Sequence, residues 1–580
     1  MDKRDLIADV LKKIAILLEL KGENAFKIRA YRTGSEIVET YSGDIIKLAL
    51  DDDLKNIKGI GTALAQKIHE LAATGKLEYF ENLKSEFPQS IFNLFNISNL
   101  GPKKIKILYD QLGIDSIPKL KQFCESGEVG EISGFGKKSV SKILDSISFH
   151  EDNANTFRSG DVAPIAENIL EFLRSHPDTE QATIAGSYRR GKEILHDLDF
   201  IVSTKSPESI IHSFTNMNTV AEIISKGSTK SSIRLDNGLQ CDLRAVSNAE
   251  YPFTLNYFTG SKGHNIQIRA LALNKGYKLN EYGLIPKGDT DSSISDSIHT
   301  ESDLYEALGL KMIHPCLREN SGEIEASSEN KLPKLVTLEN LRGTFHNHTT
   351  ASDGKNTLEE MTEAAKDLGL QYLGISDHSK SSVQANGLST ERLLAQIKEI
   401  QSLNNSSPND FRIFSGVECD ILKDGTLDYD DGILAKLDYC VASIHSSFSL
   451  TEKEMTSRVI KAIENPNVTM IGHLTGRLLL SRKPYSINVP KVIDACASNH
   501  THIEINANPR RLDMDWRWWR QAKDKGVKCS INPDAHRIEH FQFLHFGVKI
   551  AQKGWLEPND IINCLPLNEI ESTLNKKQNL

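Results

Sequence analysis

The chain has 580 residues, of which 39% are hydrophobic, and its formal net charge is −9 at pH 7. One hydrophobic core does not grow to this size, so we predict roughly three to four domains, and the acidic charge gives no whole-chain indication of nucleic-acid binding. No apolar run approaches the roughly 18 residues that span a bilayer, and residues 1–9 are too charged for a secretion signal, so we expect a cytoplasmic protein without membrane contacts.

The first region, to about Ser148, has short helical patterns broken by glycine, which predicts an all-helical fold. Three similar glycine turns, each before a lysine-containing helical pattern, lie at residues 57–61, 97–101 and 132–136, with Asn99 in place of one glycine. Such a turn and the helix after it point backbone N–H groups at a phosphate. One copy could simply join two helices, but three copies favour helix-hairpin-helix contacts with a DNA backbone. The candidate DNA-binding residues are Gly59, Gly61, Gly101, Gly134 and Gly136.

An α/β region follows, with strand-like runs at residues 182–185, 198–203 and 239–246. The motif Gly186-Ser187-Tyr188-Arg189-Arg190-Gly191 precedes Asp197-Leu198-Asp199, at the start of the second run. Side chains two apart on a strand share a face, so the two aspartates present adjacent carboxylates. Exposed acidic pairs are common, but an acidic pair joined to this glycine motif at this spacing is a specific nucleotidyltransferase signature.

The chemistry expected of this motif is nucleotidyl transfer with two Mg²⁺ ions. Asp197 and Asp199 would hold the ions, and Asp242, from a neighbouring strand, would be the third catalytic carboxylate. Ser187 and Arg190, beside the glycine turn, would bind the triphosphate and offset the charge of the leaving pyrophosphate. Gly186, Ser187 and Arg190 are therefore nucleotide-binding candidates.

Further along, residues 257–261 (Tyr-Phe-Thr-Gly-Ser), Asn265, Arg269 and residues 279–283 resemble the nucleotide-binding subdomain of the family X DNA polymerases. The resemblance implies that Tyr257 and Phe258 contact the sugar and help to exclude a ribose 2′-hydroxyl. It also implies that Asn265 reaches the base edge and that Arg269 checks the minor groove and the template. It adds Gly260 to the nucleotide-binding candidates. Lys67 falls where some members carry a Schiff-base lysine that removes a sugar-phosphate remnant, although a single helical lysine is more often only solvated.

Residues 319–331 are polar and rich in Glu, Ser and Asn, so we expect a linker there. After Leu341, short apolar strands alternate with helical segments, which predicts strand-helix units that close into a barrel or form a layered sheet, and several strands are followed by metal-ligand residue types. In a barrel such strand ends meet at one mouth. The candidate metal ligands are His346, His348, Asp353, His378, Glu418, His445, His473, Asp534 and His536.

Nitrogen and oxygen ligands without thiolates suit Mn²⁺, Zn²⁺ or Fe²⁺, and nine of them are enough for up to three ions that hydrolyse a phosphoester. The ligand order resembles the polymerase and histidinol phosphatase (PHP) domain that bacterial and archaeal family X polymerases carry at this end. That resemblance implies a distorted seven-stranded β/α barrel. Nearby basic residues could hold DNA or could be ordinary surface charges. These residues are Arg477, Arg482, Lys483, Arg510 and Arg511.

We therefore expect a monomeric, template-directed polymerase that uses dNTPs to fill short gaps in gapped or primed duplex DNA, with a barrel acting as a 3′–5′ exonuclease or related phosphoesterase. The alternatives are a barrel that hydrolyses a small phosphorylated metabolite, and a DNA-binding scaffold with inactive sites. AP endonuclease and 3′-phosphatase activities also stay open. The expected domains are two helical hairpin domains (1–90, 91–155), a palm (156–247), a nucleotide-binding subdomain (248–318), a linker (319–340) and the PHP barrel (341–570).

Overall fold

The structure, a computed structural model, describes residues 3–41, 44–97, 100–287, 294–406 and 411–575. The chain divides into two compact units, Met1–Ala154 and Asn155–Leu580. Among the described residues, no helix is long and apolar enough to cross a membrane.

The first unit is all helical, as the apolar spacing predicts. Leu64, Ile68 and Leu71 recur at three- and four-residue intervals, and all three are buried on one face of their helix. Two apolar clusters fill the unit, one around Ile68 and one around Ile105. Its helices are α1 (Lys3–Lys21), α2 (Ala25–Thr40), α3 (Ile45–Leu50), α4 (Thr62–Thr74), α5 (Glu78–Ser85), α6 (Pro102–Leu112), α7 (Ile117–Glu125) and α8 (Lys137–Asp152).

The second unit begins with the palm, a mixed five-stranded sheet in the order β2-β4-β7-β6-β5. Its elements are β1 (Phe157–Arg158), α9 (Ser159–Arg174), β2 (Gln181–Ile184), α10 (Gly186–Arg189), β3 (Ile194–Leu195), β4 (Asp197–Ser203), α11 (Pro207–Thr215), β5 (Val220–Lys226), β6 (Lys230–Leu235) and β7 (Gln240–Val246). Strands β4 and β7 are parallel neighbours. Leu198 and Phe200 of β4 are fully buried in the core of this region, so the alternate positions of the strand face the other side of the sheet.

The next subdomain is mainly helical and has its own apolar core around Phe253 and Tyr305. Its elements are α12 (Tyr251–Thr259), α13 (Lys262–Asn274), β8 (Tyr277–Leu279), β9 (Leu284–Pro286), α14 (Glu301–Ala307) and α15 (Glu323–Ser328). Buried Arg318 ties α12 to α14, since its guanidinium contacts Asn256 and Glu301 at 3.2 and 2.6 Å.

The expectation of an unpacked linker at residues 319–331 is wrong. Most of this stretch is ordered against its surroundings, and α15 lies within it. The Glu323 side chain is completely buried and its carboxylate lies 2.7 Å from Nδ1 of His264, while the Glu319 carboxylate lies 2.7 Å from the buried Lys553 ammonium. The polar composition is misleading because each buried acid has a partner that lies far away in the sequence.

The last part of the second unit is a parallel barrel. Its elements are β10 (Gly343–Thr344), α16 (Leu358–Asp367), β11 (Tyr372–Ile375), α17 (Thr390–Ser406), β12 (Arg412–Ser415), β13 (Glu418–Asp420), α18 (Asp431–Leu434), β14 (Val441–Ser443), α19 (Glu452–Ile463), β15 (Met470–Ile471), α20 (Val489–Ser498), β16 (His502–Asn506), α21 (Trp519–Asp524), β17 (Cys529–Asn532), α22 (Leu544–Lys553) and α23 (Leu567–Asn575). Its strands form two sheets, β10-β11-β12 and β13-β14-β15-β16-β17.

Two isolated bridges join these sheets into a ring. His378 bridges to Glu418 at one junction, and Asn347 bridges to Ala535 at the other. Segments β12 and β13 are consecutive and act as one strand interrupted at residues 416–417. Counted in this way, the described residues form the distorted seven-stranded barrel that the resemblance to the PHP domain implies.

Candidate active sites

The palm aspartates lie on the face of the sheet that turns away from the apolar core. Asp199 of β4 is the register partner of Asp242 of β7, and Asp197 is opposite Gln240. Adjacent strands are about 4.8 Å apart, so the structure brings all three predicted carboxylates into one cluster. The Gln240 side-chain amide donates to both oxygens of Asp242, at 3.3 and 3.1 Å, and fixes its orientation.

The electrostatics of this cluster fit divalent cations. Burial, together with the charges of Asp197 and Asp242, raises the pKa of Asp199 to about 7. Burial and Asp242 also raise the pKa of Asp197. Carboxylates that destabilise one another in this way gain most from a bound cation, and an all-oxygen ligand set suits Mg²⁺.

The glycine turn approaches the same cluster. Gly186 has φ of 61°, and a β-carbon at this position would lie 2.1 Å from Oδ2 of Asp199. Ser187 is half-buried in the short helix α10. Arg190, just after α10, donates from Nη1 to the Thr259 carbonyl at 2.5 Å and from Nε to Glu319 at 3.1 Å. Arg190 is therefore held between the palm and the neighbouring subdomain.

The other nucleotide-binding candidates are connected by hydrogen bonds and ring contacts. The rings of Tyr257 and Phe258 meet edge to face at 5.2 Å. The Asn265 amide donates to the Tyr257 carbonyl at 2.7 Å, and Nε of exposed Arg269 donates to the Asn265 carbonyl at 3.2 Å. Gly260 has φ of 67°, and its Cβ position is 3.3 Å from Nη1 of Arg190. The roles of these residues toward a nucleotide stay predictions.

The barrel mouth gathers all nine predicted ligands. Eight of them form three overlapping groups whose ligand atoms lie within 4.8 Å of one another: His348 with Asp353, His378 and His536; His346 with His348 and Asp534; and His378 with Glu418 and His445. The ninth, His473, has Nε2 at 2.9 Å from Oε1 of Glu418. Glu418 is thus the centre of the cluster, because His346, His378 and His445 also approach its carboxylate.

Several of these ring nitrogens have the environment of metal ligands. Within the described residues, buried Nε2 of His346 and both ring nitrogens of His348 have no hydrogen-bond partner. Buried polar atoms are rarely left without a partner, so these nitrogens fit coordination to an ion. The backbones of His473 and Asp534 have positive φ, 24° and 53°, which is strained for such residues and typical of functional sites.

The acids and histidines of the barrel mouth strongly shift one another's pKa values. Although burial opposes ionisation, the charges of His445 and His346 hold the pKa of Glu418 well below its usual range. Burial alone would lower the pKa of His445, but Glu418 and Asp420 raise it to about 10. For His536, burial alone would lower the pKa, but Asp353 and Asp534 together raise it to about 9. A bound cation would take over this stabilisation of the acids from the imidazoles.

Sequence reasoning missed the residues that orient the ligands. Glu504 accepts from Nδ1 of His346 at 2.6 Å and from the backbone N–H of His473 at 2.7 Å. Asp420 contacts Nδ1 of His445 at 2.9 Å. The sequence His-Ile-Glu-Ile-Asn, residues 502–506, does contain a signal, because an acid in the middle of an apolar strand must be buried with a partner.

The basic residues beside the mouth do not behave alike. Arg477 is buried and pairs with Asp515 at 2.6 Å, so the interpretation of Arg477 as a surface charge or a DNA contact is wrong. Arg511 instead lies at the cluster of candidate ligands, with Nε 3.5 Å from Oδ2 of Asp534. Arg482 donates to the Gly476 carbonyl at 2.7 Å.

The described parts of the hairpin turns in the first unit have the expected geometry. Gly59 and Gly134 have φ of 99° and 93°. Gly61, Gly101 and Gly136 cap the N-termini of α4, α6 and α8. Asn99 lies outside the described residues. Lys67 donates to the Ala63 carbonyl at 3.3 Å and lies 4.8 Å from the Tyr79 ring centroid. DNA binding by the glycines and the role of Lys67 stay predictions.

A carboxylate cluster beside a glycine turn, and a histidine-rich barrel on the same chain, define the class of protein: a nucleotidyltransferase joined to a metal-dependent phosphoesterase. Family models match a helix-hairpin-helix domain at residues 2–77, a SAM-like helix-hairpin-helix tandem at 92–148, a DNA polymerase beta thumb at 254–319 and a PHP domain at 344–508.

Similar proteins agree with these matches. The chain is 38% identical over 578 residues to the DNA polymerase/3′-5′ exonuclease PolX of Bacillus subtilis (strain 168), covering 99% of this chain and 100% of that protein. It is 24% identical over 339 residues to DNA polymerase lambda of Arabidopsis thaliana, covering 53% and 61%. A probable phosphatase of Thermoanaerobacter sp. (strain X514) is 31% identical over 245 residues, covering 40% and 94%. The chain belongs to the family X DNA polymerases that carry a PHP domain, which confirms the predicted family and fold class.

Proposed function

We propose that the palm and the nucleotide-binding subdomain add dNTPs to a primer end and fill short gaps in duplex DNA. The observation that carries this proposal is the placement of Asp199 directly opposite Asp242 on parallel strands, with Gly186 against the Asp199 carboxylate. The similarity to the DNA polymerases of Bacillus subtilis and Arabidopsis thaliana supports the same activity.

In this proposal the chain's own residues divide the work. Asp197, Asp199 and Asp242 hold two Mg²⁺ ions, which, when bound, stabilise the attacking and leaving oxygens of the phosphoryl transfer. Gln240 keeps the Asp242 carboxylate turned toward the primer end. Arg190, held at Nε and Nη1, offers the rest of its guanidinium to the triphosphate.

The sugar and the base are assigned to the neighbouring subdomain. The paired rings of Tyr257 and Phe258 contact the sugar and exclude a ribose. Asn265 and Arg269, joined by a hydrogen bond, reach the base and the minor groove. Ser187 and Gly260 complete the triphosphate pocket.

Primer extension on a DNA duplex with a one-nucleotide gap tests this proposal. Wild-type protein with Mg²⁺ and the four dNTPs is expected to extend the primer by one nucleotide, and Asp242→Asn to leave it unextended. The polymerase proposal fails if the wild type does not extend the gapped primer at any Mg²⁺ or Mn²⁺ concentration.

We also propose that the barrel removes nucleotides from DNA 3′ ends, using up to three Mn²⁺, Zn²⁺ or Fe²⁺ ions at the nine ligands. The observation that supports this proposal is the convergence of the nine candidate ligands around buried Glu418. When bound, such ions supply a nucleophile from water and neutralise the scissile phosphate. Arg511, beside Asp534, adds a positive charge where a phosphate would enter. Release of mononucleotides from 3′-labelled DNA, lost in His348→Ala, tests this activity.

A second candidate for the barrel is a phosphatase that acts on small molecules. The match to the probable phosphatase of Thermoanaerobacter sp., which covers 94% of that protein, favours it. Hydrolysis of p-nitrophenyl phosphate, measured in competition with DNA carrying matched, mismatched, abasic or 3′-phosphate ends, separates the candidates. A phosphatase of this kind would prefer the small ester and be indifferent to the DNA.

For the first unit we propose binding of the DNA backbone by the hairpin glycines and, as a separate activity, removal of a sugar-phosphate remnant by Lys67. The half-buried position of Lys67 beside the Tyr79 ring supports a lysine of restricted mobility. Borohydride trapping of the protein on DNA with a 5′ sugar-phosphate tests the second activity. Lys67→Ala should lose the trapped species, whereas Lys76→Ala, at an exposed lysine of the same unit, should retain it.

A further inference from the structure

One acidic side chain, Glu319, contacts three basic side chains where the nucleotide-binding subdomain meets the barrel. The Glu319 carboxylate contacts Nε of Arg190 at 3.1 Å, Nζ of Lys192 at 3.3 Å and Nζ of Lys553 at 2.7 Å. Glu319 is 8% exposed and Lys553 is 0% exposed at the side chain. Buried charges persist only when they are well paired, so these contacts are a built feature and not a chance surface ion pair.

Lys553 belongs to the barrel but reaches the nucleotide site. It ends α22, and its ammonium also donates to the backbone carbonyl of Arg190 at 3.0 Å. The centroid of the Trp516 ring lies 4.6 Å from the same ammonium, and the Lys553 side chain is fully buried. Burial lowers the pKa of Lys553, and the charge of Glu319 opposes that shift. The carboxylate that pairs with this lysine is the same one that contacts Arg190.

The Arg190 guanidinium would have two competing anionic partners, the Glu319 carboxylate and a triphosphate. Its Nη1 and Nε are bound to Thr259 and Glu319, and Nη2 has no hydrogen-bond partner among the described residues. A triphosphate would compete with Glu319 for this guanidinium, because both are anions. Lys553 reduces that competition because its positive charge neutralises part of the negative charge of Glu319.

We infer that Lys553 is a positioning residue for dNTP binding: by neutralising Glu319 it keeps Arg190 oriented and available, and so makes a barrel helix part of the polymerase site. This inference rests on the proposed role of Arg190 in holding the triphosphate. It predicts that the barrel influences the KM for dNTPs without any contribution from the barrel's own metal ligands.

The test uses the full chain and single-nucleotide gap filling under steady-state conditions. In Lys553→Met, Glu319 binds Arg190 more tightly, so the KM for the dNTP should rise about fivefold to tenfold while kcat stays within about twofold. Adding Glu319→Gln to that variant removes the competing charge, and KM should return to within about twofold of the wild type. The control is Lys523→Met, which loses barrel contacts to Glu557 and Asp560 at 3.0 and 2.8 Å but leaves Arg190 untouched.

The outcomes separate this inference from the proposed function. An unchanged KM in Lys553→Met, or a double variant no better than Lys553→Met, overturns the inference. If the inference is overturned, Arg190→Ala in the same assay shows whether the proposed role of Arg190 fails as well. A raised KM for the dNTP in Arg190→Ala keeps that role, whereas an unchanged KM contradicts it. Should Lys553→Met not fold, Glu319→Gln alone decides, because the inference expects its KM at or below the wild-type value and a raised KM overturns it.

Discussion

Gly186 lies against Asp199 so closely that a β-carbon at position 186 would stand 2.1 Å from the Asp199 Oδ2 atom. The glycine also has φ of 61°, in the left-handed region. The turn that is proposed to hold the triphosphate is therefore built directly onto a proposed metal ligand. Any side chain at position 186 would displace the carboxylate, the turn or both.

Gly186→Ala should reduce primer extension by about 100-fold, because a displacement of about 1 Å at reacting groups has an effect of that size. Steady-state gap filling with Mg²⁺ measures it. Gly238→Ala is the matched control: this palm glycine has φ of 87° but nothing within 4 Å of its Cβ position. If both variants lose activity equally, backbone strain and not the contact with Asp199 is responsible.

The two sites should fail independently. Asp199→Asn removes a carboxylate from the palm cluster, so extension should fall about 100-fold or more while release of nucleotides from 3′ ends is retained. His348→Ala removes an imidazole that belongs to two of the candidate ligand groups of the barrel, so nucleotide release should be lost while primer extension is retained. Parallel extension and exonuclease assays on one preparation measure both.

His500→Ala, at an exposed barrel histidine outside the cluster, should change neither activity. Loss of both activities in either site variant, in protein whose melting temperature is unchanged, would contradict separate sites.

Much of the palm site could be predicted because its determinants are local. The alternation of Asp197 and Asp199 with the buried Leu198 and Phe200 fixes the face on which the carboxylates lie. Asp242 could be placed because one further apolar run contains it. The clustering of the candidate barrel ligands could be predicted for a similar reason, since most of them lie next to short apolar strands.

The supporting contacts could not be predicted, because they join distant positions. His346 and Glu504 are 158 residues apart, and Glu319 and Lys553 are 234 apart. Nothing in the local pattern of Glu319 distinguishes it from the nearby exposed acids Glu325 and Glu329. Burial of such groups depends on which cations the fold brings to them, and this information is absent from composition and periodicity.

Glu504→Gln should lower metal affinity of the barrel by about 10- to 100-fold, the usual effect of losing a carboxylate that orients a histidine ligand. The carboxylate accepts from Nδ1 of His346 and from the backbone of His473, so both ligands lose their orientation. Metal content after dialysis against a chelator of known affinity measures the change. Glu464→Gln, an exposed acid of the same barrel, is the control. Equal metal content in Glu504→Gln and wild type would contradict this role of Glu504.

Protonation of His264 should destabilise the second unit at acid pH. The ring is completely buried between Glu323, at 2.7 Å, and the Tyr305 hydroxyl, at 2.8 Å, with Arg318 and Glu301 in the same polar network. Burial lowers the pKa of His264 below its usual 6.5, although the hydrogen bond to Glu323 opposes the shift. The unfolded chain therefore takes up a proton at this position before the folded chain does.

Because the unfolded chain is protonated first, the contribution of His264 to stability is complete above about pH 6.5 and is lost as the pH falls below it. His264→Gln, which does not titrate, should cost about 1–3 kcal/mol at neutral pH because the buried hydrogen bonds are disturbed. The difference in melting temperature between wild type and His264→Gln should then shrink from about pH 7.5 to about pH 5.5. His212→Gln, at an exposed palm histidine, controls for general acid effects. A difference that stays constant or widens on acidification would mean that the folded protein accepts a proton on His264 as readily as the unfolded chain, and that Glu323 outweighs burial.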